Sequence, residues 1–188
     1  MDEMKTWETR KGITFLKRIG IKPGHTVVDF GCRVGHYSIP AAMLVGPDGK
    51  VYAIDKDRDV LDELEEKASA SGLTNLTTVE TAGEADLLLP DIPVDVFLLY
   101  DVLHLIEKDS RLTLYSRIRE ALDAGAILSV YPKHIATDSP SYNFKDLNMA
   151  DVKHEVEGAG FVFEAKVCGT ISHDDSLVKG CTLNFRKK

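Results

Sequence analysis

The sequence predicts an α/β fold: a doubly wound, mostly parallel sheet of seven strands ending in an antiparallel hairpin. Three observations carry this. Apolar strand-like runs alternate with helix-like segments over short connections. The runs are continuous, as in Val94-Asp95-Val96-Phe97-Leu98-Leu99-Tyr100, which is the pattern of a parallel strand covered on both faces. Two strand candidates close the chain with only a loop between them, which favours a hairpin over another crossover.

The elements follow in order. Residues 3–19 form a helix, with Trp7, Ile13, Phe15, Leu16 and Ile19 as its apolar positions, and Pro23-Gly24 breaks the chain before a strand at 26–30. A helix runs from Gly35 to about Leu44, and the Gly46-Pro47-Asp48-Gly49 turn leads into a strand at 50–55. Val60, Leu61, Leu64 and Ala68 recur at helical spacing within 58–71, and Gly72 stops that helix. Strands at 76–79 and 94–100, a helix at 109–122 and a strand at 126–131 continue the alternation. A turn-rich stretch, 133–146, precedes a helix at 147–157, and strands at 161–168 and 180–186 end the chain around a loop from Gly169 to Lys179. With no repeat, linker or low-complexity tract, residues 1–188 read as one domain, with 1–22 and 133–146 (Tyr142, Phe144) as candidate covers for a substrate.

Composition narrows the function class. A length of 188 residues suits one core. The net charge of −7 argues against bulk binding to nucleic acid or an anionic membrane. No apolar run reaches the roughly 20 residues of a spanning helix, and the N-terminus lacks the pattern of a signal peptide. Cys32, Cys168 and Cys181 show no short paired spacing, so no metal framework is expected. They read as reduced, half-buried thiols of a cytoplasmic protein, although Cys168 and Cys181 could face each other across the hairpin.

The chemistry concentrates where strands meet helices. Asp29-x-Gly31-x-x-x-Gly35 supplies a tight turn, a close helix–strand approach and a helix N-terminus facing the cleft. Its glycine spacing departs from G-x-G-x-x-G, which counts against a nicotinamide or flavin enzyme. Asp55, at the end of the second strand, is placed to accept both hydroxyls of a ribose.

The series Asp29-x-Gly31-x-Arg33-x-Gly35, Asp55, Gly83-Glu84-Ala85-Asp86 and Asp101-Val102-Leu103-His104 resembles the class I S-adenosylmethionine-dependent methyltransferases. The likeness is nearest to the small-molecule, ubiquinone/menaquinone-biosynthesis type and runs from about residue 10 to the end. It implies a Rossmann-like fold, S-adenosylmethionine as cofactor and a small-molecule acceptor. Asp29, Gly31 and Gly35 would shape the pocket for the methionine part and Asp55 would bind the ribose. Glu84 would sit near the adenine amino group beside the Ala85 backbone, and Asp101 would line the side facing the substrate.

Arg33 departs from the family, which most often has glycine there. It admits three readings: a side chain turned outward, a salt bridge to the cofactor carboxylate, or a blocked pocket. Candidate bases are His104 after the fourth strand, His134 after the fifth, and His173 in the final loop. His173-Asp174-Asp175 also reads as part of a metal site or as an exposed polar turn, and His104 equally as a core residue. If the sixth strand runs parallel to the first five, His173 opens onto the cofactor face. An inactive cofactor-binding module is the alternative function, with a nicotinamide oxidoreductase behind it; a homodimer stays open. A protein or RNA methyltransferase finds no support in the charge or in the residues after the fourth strand.

Overall fold

The structure, a computed structural model, describes residues 3–83, 92–138 and 144–187. In chain order it contains α1 (Glu3–Thr6), a π-helical turn (Trp7–Lys11), α2 (Gly12–Ile19), β1 (Thr26–Phe30), α3 (Ser38–Val45) and β2 (Lys50–Asp55). Then follow α4 (Arg58–Ala70), β3 (Leu76–Glu80), β4 (Val94–Tyr100), a 3-10 turn (Leu103–Leu105), α5 (Lys108–Ala121) and β5 (Leu122–Tyr131). α6 (Met149–Gly158), β6 (Phe161–His173) and β7 (Ser176–Lys187) close the chain.

The seven strands form one sheet in the order β3-β2-β1-β4-β5-β7-β6. β1 to β5 pair in parallel, and β7 runs antiparallel to both β5 and β6. β6 is therefore parallel to β1–β5, and its C-terminal end reaches the same sheet edge as theirs.

Alternation along the strands builds a core on each face. Val28, Phe30, Phe97 and Leu99 pack with α5 and α6 residues such as Leu114, Tyr115, Ile118 and Val152. Val27, Val96, Leu98 and Tyr100 pack with Phe15, Leu16 and Ile19 of α2 and with Ala41 and Val45 of α3. The helix starts carry their own signals. The Asp57 side chain accepts from the Asp59 amide to begin α4, and Asn148 with Asp151 forms a capping box at α6. Gly20, at φ 108°, ends α2 in the left-handed conformation.

Four sequence expectations need correction. The loop expected at 169–179 is mostly strand: β6 runs to His173 and β7 starts at Ser176, leaving Asp174-Asp175 as the turn. Buried Ile171 and its partner Val178 join the core beneath α2 and α3, and a β-branched pair of this kind sustains strand pairing through the segment expected as a loop. The helix expected from Gly35 starts at Ser38, because Gly35 is held at φ 87°. β5 begins at Leu122, four residues early, with a register shift opposite Val94/Val96. Finally, Cys168 and Cys181 are not reduced thiols but a disulfide. They are directly opposed in the β6–β7 register, which brings their Cα atoms to 4.0 Å. Cys32 is the free, buried thiol.

Candidate functional site

The C-terminal ends of β1, β2, β4 and β6 and the loop after β5 converge on two adjoining cavities of about 440 and 360 Å³. Gly31, Arg33, Asp101 and Leu105 line both and so form the neck between them. This is the edge where a doubly wound sheet binds its ligand.

The first turn is fixed from within. Gly31 adopts φ 77°, and a Cβ there would lie 2.9 Å from Val102 Cγ2, so only glycine fits without displacement. The Gly31 and Cys32 amides both donate to the Ile54 carbonyl, tying the turn to β2. Asp29 points into the apolar face and is 2% exposed; its carboxylate accepts from Ser38 Oγ at 2.6 Å. Burial outweighs that bond and pushes its pKa up to about 6.

Asp55 accepts three backbone amides: Arg33 at 2.9 Å, Lys56 at 2.8 Å and Asp57 at 3.1 Å. Its carboxylate is thereby held at the mouth of the smaller cavity, above an apolar floor that includes Phe30, Ile54, Val60 and Ile106. Arg33 itself sits at φ 46°, and its guanidinium turns to Asp174 at 2.6 Å with about half of its side chain exposed. The Arg33 side chain is thus directed to the β6–β7 turn, and its backbone faces Asp55.

The larger cavity gathers histidines from three places in the sequence. His173 Nδ1 hydrogen-bonds Asp101 Oδ2 directly. His104 Nδ1 and His134 Nε2 each lie 3.5 Å from Asp101 Oδ1. The His104 and His134 rings are 4.2 Å apart, and those of His134 and His173 5.2 Å. Burial and the two neighbouring imidazoles lower the His104 pKa to about 4, so it is neutral at physiological pH. Burial raises the Asp101 carboxyl above its usual range, against the pull of His173. Asp101, His134 and His173 could together hold a metal ion, since one donor atom from each lies within 4.8 Å of the others.

Four non-glycine residues have positive φ among the described residues: Arg33, Asp101, His134 and Asp174. All four line the larger cavity. Backbone strain of this kind costs about 1–3 kcal/mol per residue and persists where surrounding structure enforces it. Here it turns Asp101 and His134 toward one another.

Three residues that sequence reading did not single out also belong to the site. His36 links Glu8 of the N-terminal helical segment, at 2.8 Å, to Asp175 of the hairpin turn, at 3.2 Å. Tyr37 donates to the Ser172 carbonyl at 2.7 Å and packs edge-on against Tyr100. Ser38 is the partner of Asp29. Position alone could have found Ser38, because a buried acid beside a helix start needs a donor; His36 and Tyr37 carry no such signal. Trp7 is fully buried, and its Nε1 donates to the His36 carbonyl at 2.8 Å. Phe144 is likewise buried, under Arg111, which makes it a core anchor; Tyr142 lies outside the described residues. Glu84 and Ala85 also lie outside them.

Residues 27–125, more than half of the chain, match the methyltransferase-domain family. The chain belongs to that family. The matched span runs from β1 into β5 and so includes Asp29, Gly31, Asp55 and Asp101. Among curated relatives, this methyltransferase-domain chain is 36% identical over 77 residues to a probable cobalt-precorrin-6B C(15)-methyltransferase (decarboxylating) of Saccharolobus solfataricus. That alignment covers 41% of this chain and 38% of the relative. A demethylmenaquinone methyltransferase of Geobacillus stearothermophilus is 31% identical over 80 residues, covering 43% of this chain and 34% of the relative. The chain thus matches well under half the length of these relatives. In overall fold it is similar to a SAM dependent methyltransferase from Aquifex aeolicus, with a TM-score of 0.76 at 23% identity. That similarity covers 98% of this chain and 93% of the other.

Proposed function

We propose that this chain is an S-adenosylmethionine-dependent methyltransferase acting on a small-molecule acceptor. The observation that carries the reading is the pair of cavities joined at Gly31, Arg33 and Asp101, with Asp55 at one and the His104–His134–His173 cluster at the other. Family membership supplies the reaction class, and a relative named for menaquinone chemistry supports a small-molecule acceptor.

The residues present fit the cofactor. The smaller cavity combines an apolar floor, suited to a flat base, with a carboxylate pinned to accept two hydroxyls. Asp55 would hold the ribose, Glu84 and Ala85 the adenine edge, and the Asp29–Gly35 turn the amino-acid end. When bound, the cofactor supplies an electrophilic methyl group. Orientation by the surrounding side chains then supplies much of the rate. In the metal-free chain, Asp101 and His173, hydrogen-bonded to each other, would be the groups that take a proton from a hydroxyl or amine, with His104 and His134 lining the same wall.

The N-terminal helical segment acts as a cover, supported by the Glu8–His36–Asp175 link that ties it to the hairpin turn. A single domain, with the segment 133–146 as a second candidate cover, belongs to the same proposal. A cytoplasmic setting and a homodimer belong to the same proposal. The Cys168–Cys181 bond bears on the first, because disulfides persist inside cells chiefly in hyperthermophiles.

Isothermal calorimetry of the full chain with S-adenosylhomocysteine tests the reading. One site with micromolar affinity is the expected result, and no measurable heat overturns it. Transfer of labelled methyl groups to a metabolite extract separates an enzyme from a cofactor-binding module.

A further inference from the structure

We infer that Asp101, His134 and His173, with His104 beside them, form a binding site for one divalent first-row transition-metal ion, zinc(II) in particular. The site is built on three strand ends, and its four side chains come from residues up to 72 positions apart. Two geometric facts point to it. Donor atoms from Asp101, His134 and His173 lie within 4.8 Å of one another. Asp101 Oδ1 is 3.5 Å from both His104 Nδ1 and His134 Nε2. That is long for a hydrogen bond, but it is close to the donor–donor edge of about 3.3–3.5 Å set by a tetrahedral ion with bonds of about 2.0–2.1 Å.

The second observation concerns Asp101 itself. Its Oδ1 is shielded from solvent and accepts no hydrogen bond among the described residues, while Oδ2 takes the His173 ring nitrogen. A buried carboxylate oxygen without a hydrogen bond costs free energy on the order of 1–3 kcal/mol or more, which a bound cation would offset. Asp101 and His134 are also both held at positive φ, which brings their side chains to one point instead of letting them relax apart. Strain directed at a common centre is what a preformed ion site requires.

The donor set decides the class of ion. Imidazoles with one carboxylate suit zinc, cobalt, nickel or iron(II) rather than magnesium or calcium, which take oxygen ligands. Three protein ligands leave an open position, as in catalytic zinc sites. All three ligands line the larger cavity, so the further ligand would be an anionic oxygen or a thiolate of an acceptor bound there. The ion site stands on geometry alone. The choice of acceptor rests on the proposed methyl transfer.

The test uses the full chain, stripped with chelator and titrated with zinc(II) alone and with cobalt(II) alone. Expected is one zinc per chain with submicromolar affinity, and cobalt(II) visible bands of the intensity of a four- or five-coordinate site. His134→Asn and His173→Asn should each weaken zinc binding at least 100-fold, whereas His154→Ala, exposed on α6, should leave it unchanged. Thermal melts establish that each variant folds, and the cobalt spectrum needs no variant. Substoichiometric zinc, a six-coordinate cobalt spectrum, or full affinity in the folded His134→Asn and His173→Asn proteins overturns the site. S-adenosylhomocysteine binding by the metal-stripped chain is read separately. Its loss bears on the proposed function and leaves the ion site standing.

Discussion

The Arg33 amide donates to Asp55 Oδ2 at 2.9 Å while the Arg33 guanidinium reaches Asp174 at 2.6 Å. One residue thus joins the first strand–helix turn to β2 through its backbone and to the C-terminal hairpin through its side chain. At φ 46° its backbone follows a path more usual for glycine, and its guanidinium ends on Asp174, which lines the larger cavity.

Asp55→Ala therefore removes two things at once. Three backbone amides lose their acceptor, which should lower stability by about 1–2 kcal/mol, since each net hydrogen bond contributes about 0.5–1.5 kcal/mol and water replaces part of it. The ribose contact would be lost as well, and S-adenosylhomocysteine affinity should fall at least tenfold, or about 1.4 kcal/mol. Calorimetry on the folded variant checks the second effect; unchanged affinity removes the ribose assignment.

Gly35→Ala should be more disruptive than its size suggests. Gly35 sits at φ 87°, and a Cβ there would run into the Leu64 side chain of α4. Positive φ and overpacking together predict a loss of about 2–4 kcal/mol. Urea unfolding measures it, with Gly46→Ala as the comparison, because Gly46 has positive φ and no neighbour within 4 Å. A loss at Gly35 no larger than at Gly46 would show that Leu64 yields freely.

Arg111 anchors the segment that carries His104. Its guanidinium makes two 2.7 Å bonds to the Glu155 carboxylate and a third to the Ile106 carbonyl, and both side chains are more than nine-tenths buried. Arg111→Ala leaves Glu155 as an uncompensated buried charge, which should cost about 3–5 kcal/mol. The double variant Arg111→Met/Glu155→Leu should recover much of that loss. Chemical denaturation of the single and double variants decides it, and a double variant no more stable than the single would contradict the desolvation account.

Asp29 gives stability a pH dependence of unusual sign for a carboxylate. Burial lifts its pKa from 3.8 to about 6, so the folded chain holds this proton more tightly than the unfolded chain does. Its contribution to stability is then lost as pH rises from about 4 through about 6, and stays constant above that. A shift of about two units corresponds to at most about 3 kcal/mol. Asp29→Asn should match the wild type near pH 4 and exceed it by about 1–3 kcal/mol at pH 7.5. An equal difference at both pH values would show that the proton is not the cause.

How much of this was legible beforehand varied with the range of the interaction. β1, β2 and β4 stand where their apolar runs placed them, because a strand buried on both faces writes itself into contiguous sequence. β3 differs by one residue at its end. His104, His134 and His173 were each expected near the carboxyl edge, and the structure brings them there. Their meeting on Asp101 depends on strand order and on β6 running parallel to β4, neither of which any local pattern encodes. The Glu8–His36–Asp175 link was invisible for the same reason. The hairpin was misjudged in extent: the loop was drawn from Gly169 to Lys179, whereas in the ladder Gly169 is paired with Gly180 and the strands run on to His173 and Ser176.

That misjudgement also hid the disulfide, which sets the last prediction. With the loop drawn from 169 to 179, Cys168 and Cys181 flank an irregular segment; with β6 and β7 extended, they become direct cross-strand partners. Alkylation of the unfolded, unreduced protein should label one thiol, Cys32, and prior reduction should raise that to three. A sequence separation of 13 corresponds to about 3 kcal/mol of lost chain entropy in the unfolded state, so reduction should lower stability by about 2–3 kcal/mol. The pair lies five residues from His173, toward the opposite end of β6, so S-adenosylhomocysteine affinity should not change on reduction. Three labelled thiols without reductant would show the pair to be open, and an affinity that falls with reduction would show that the hairpin's covalent tie reaches the cavity through β6.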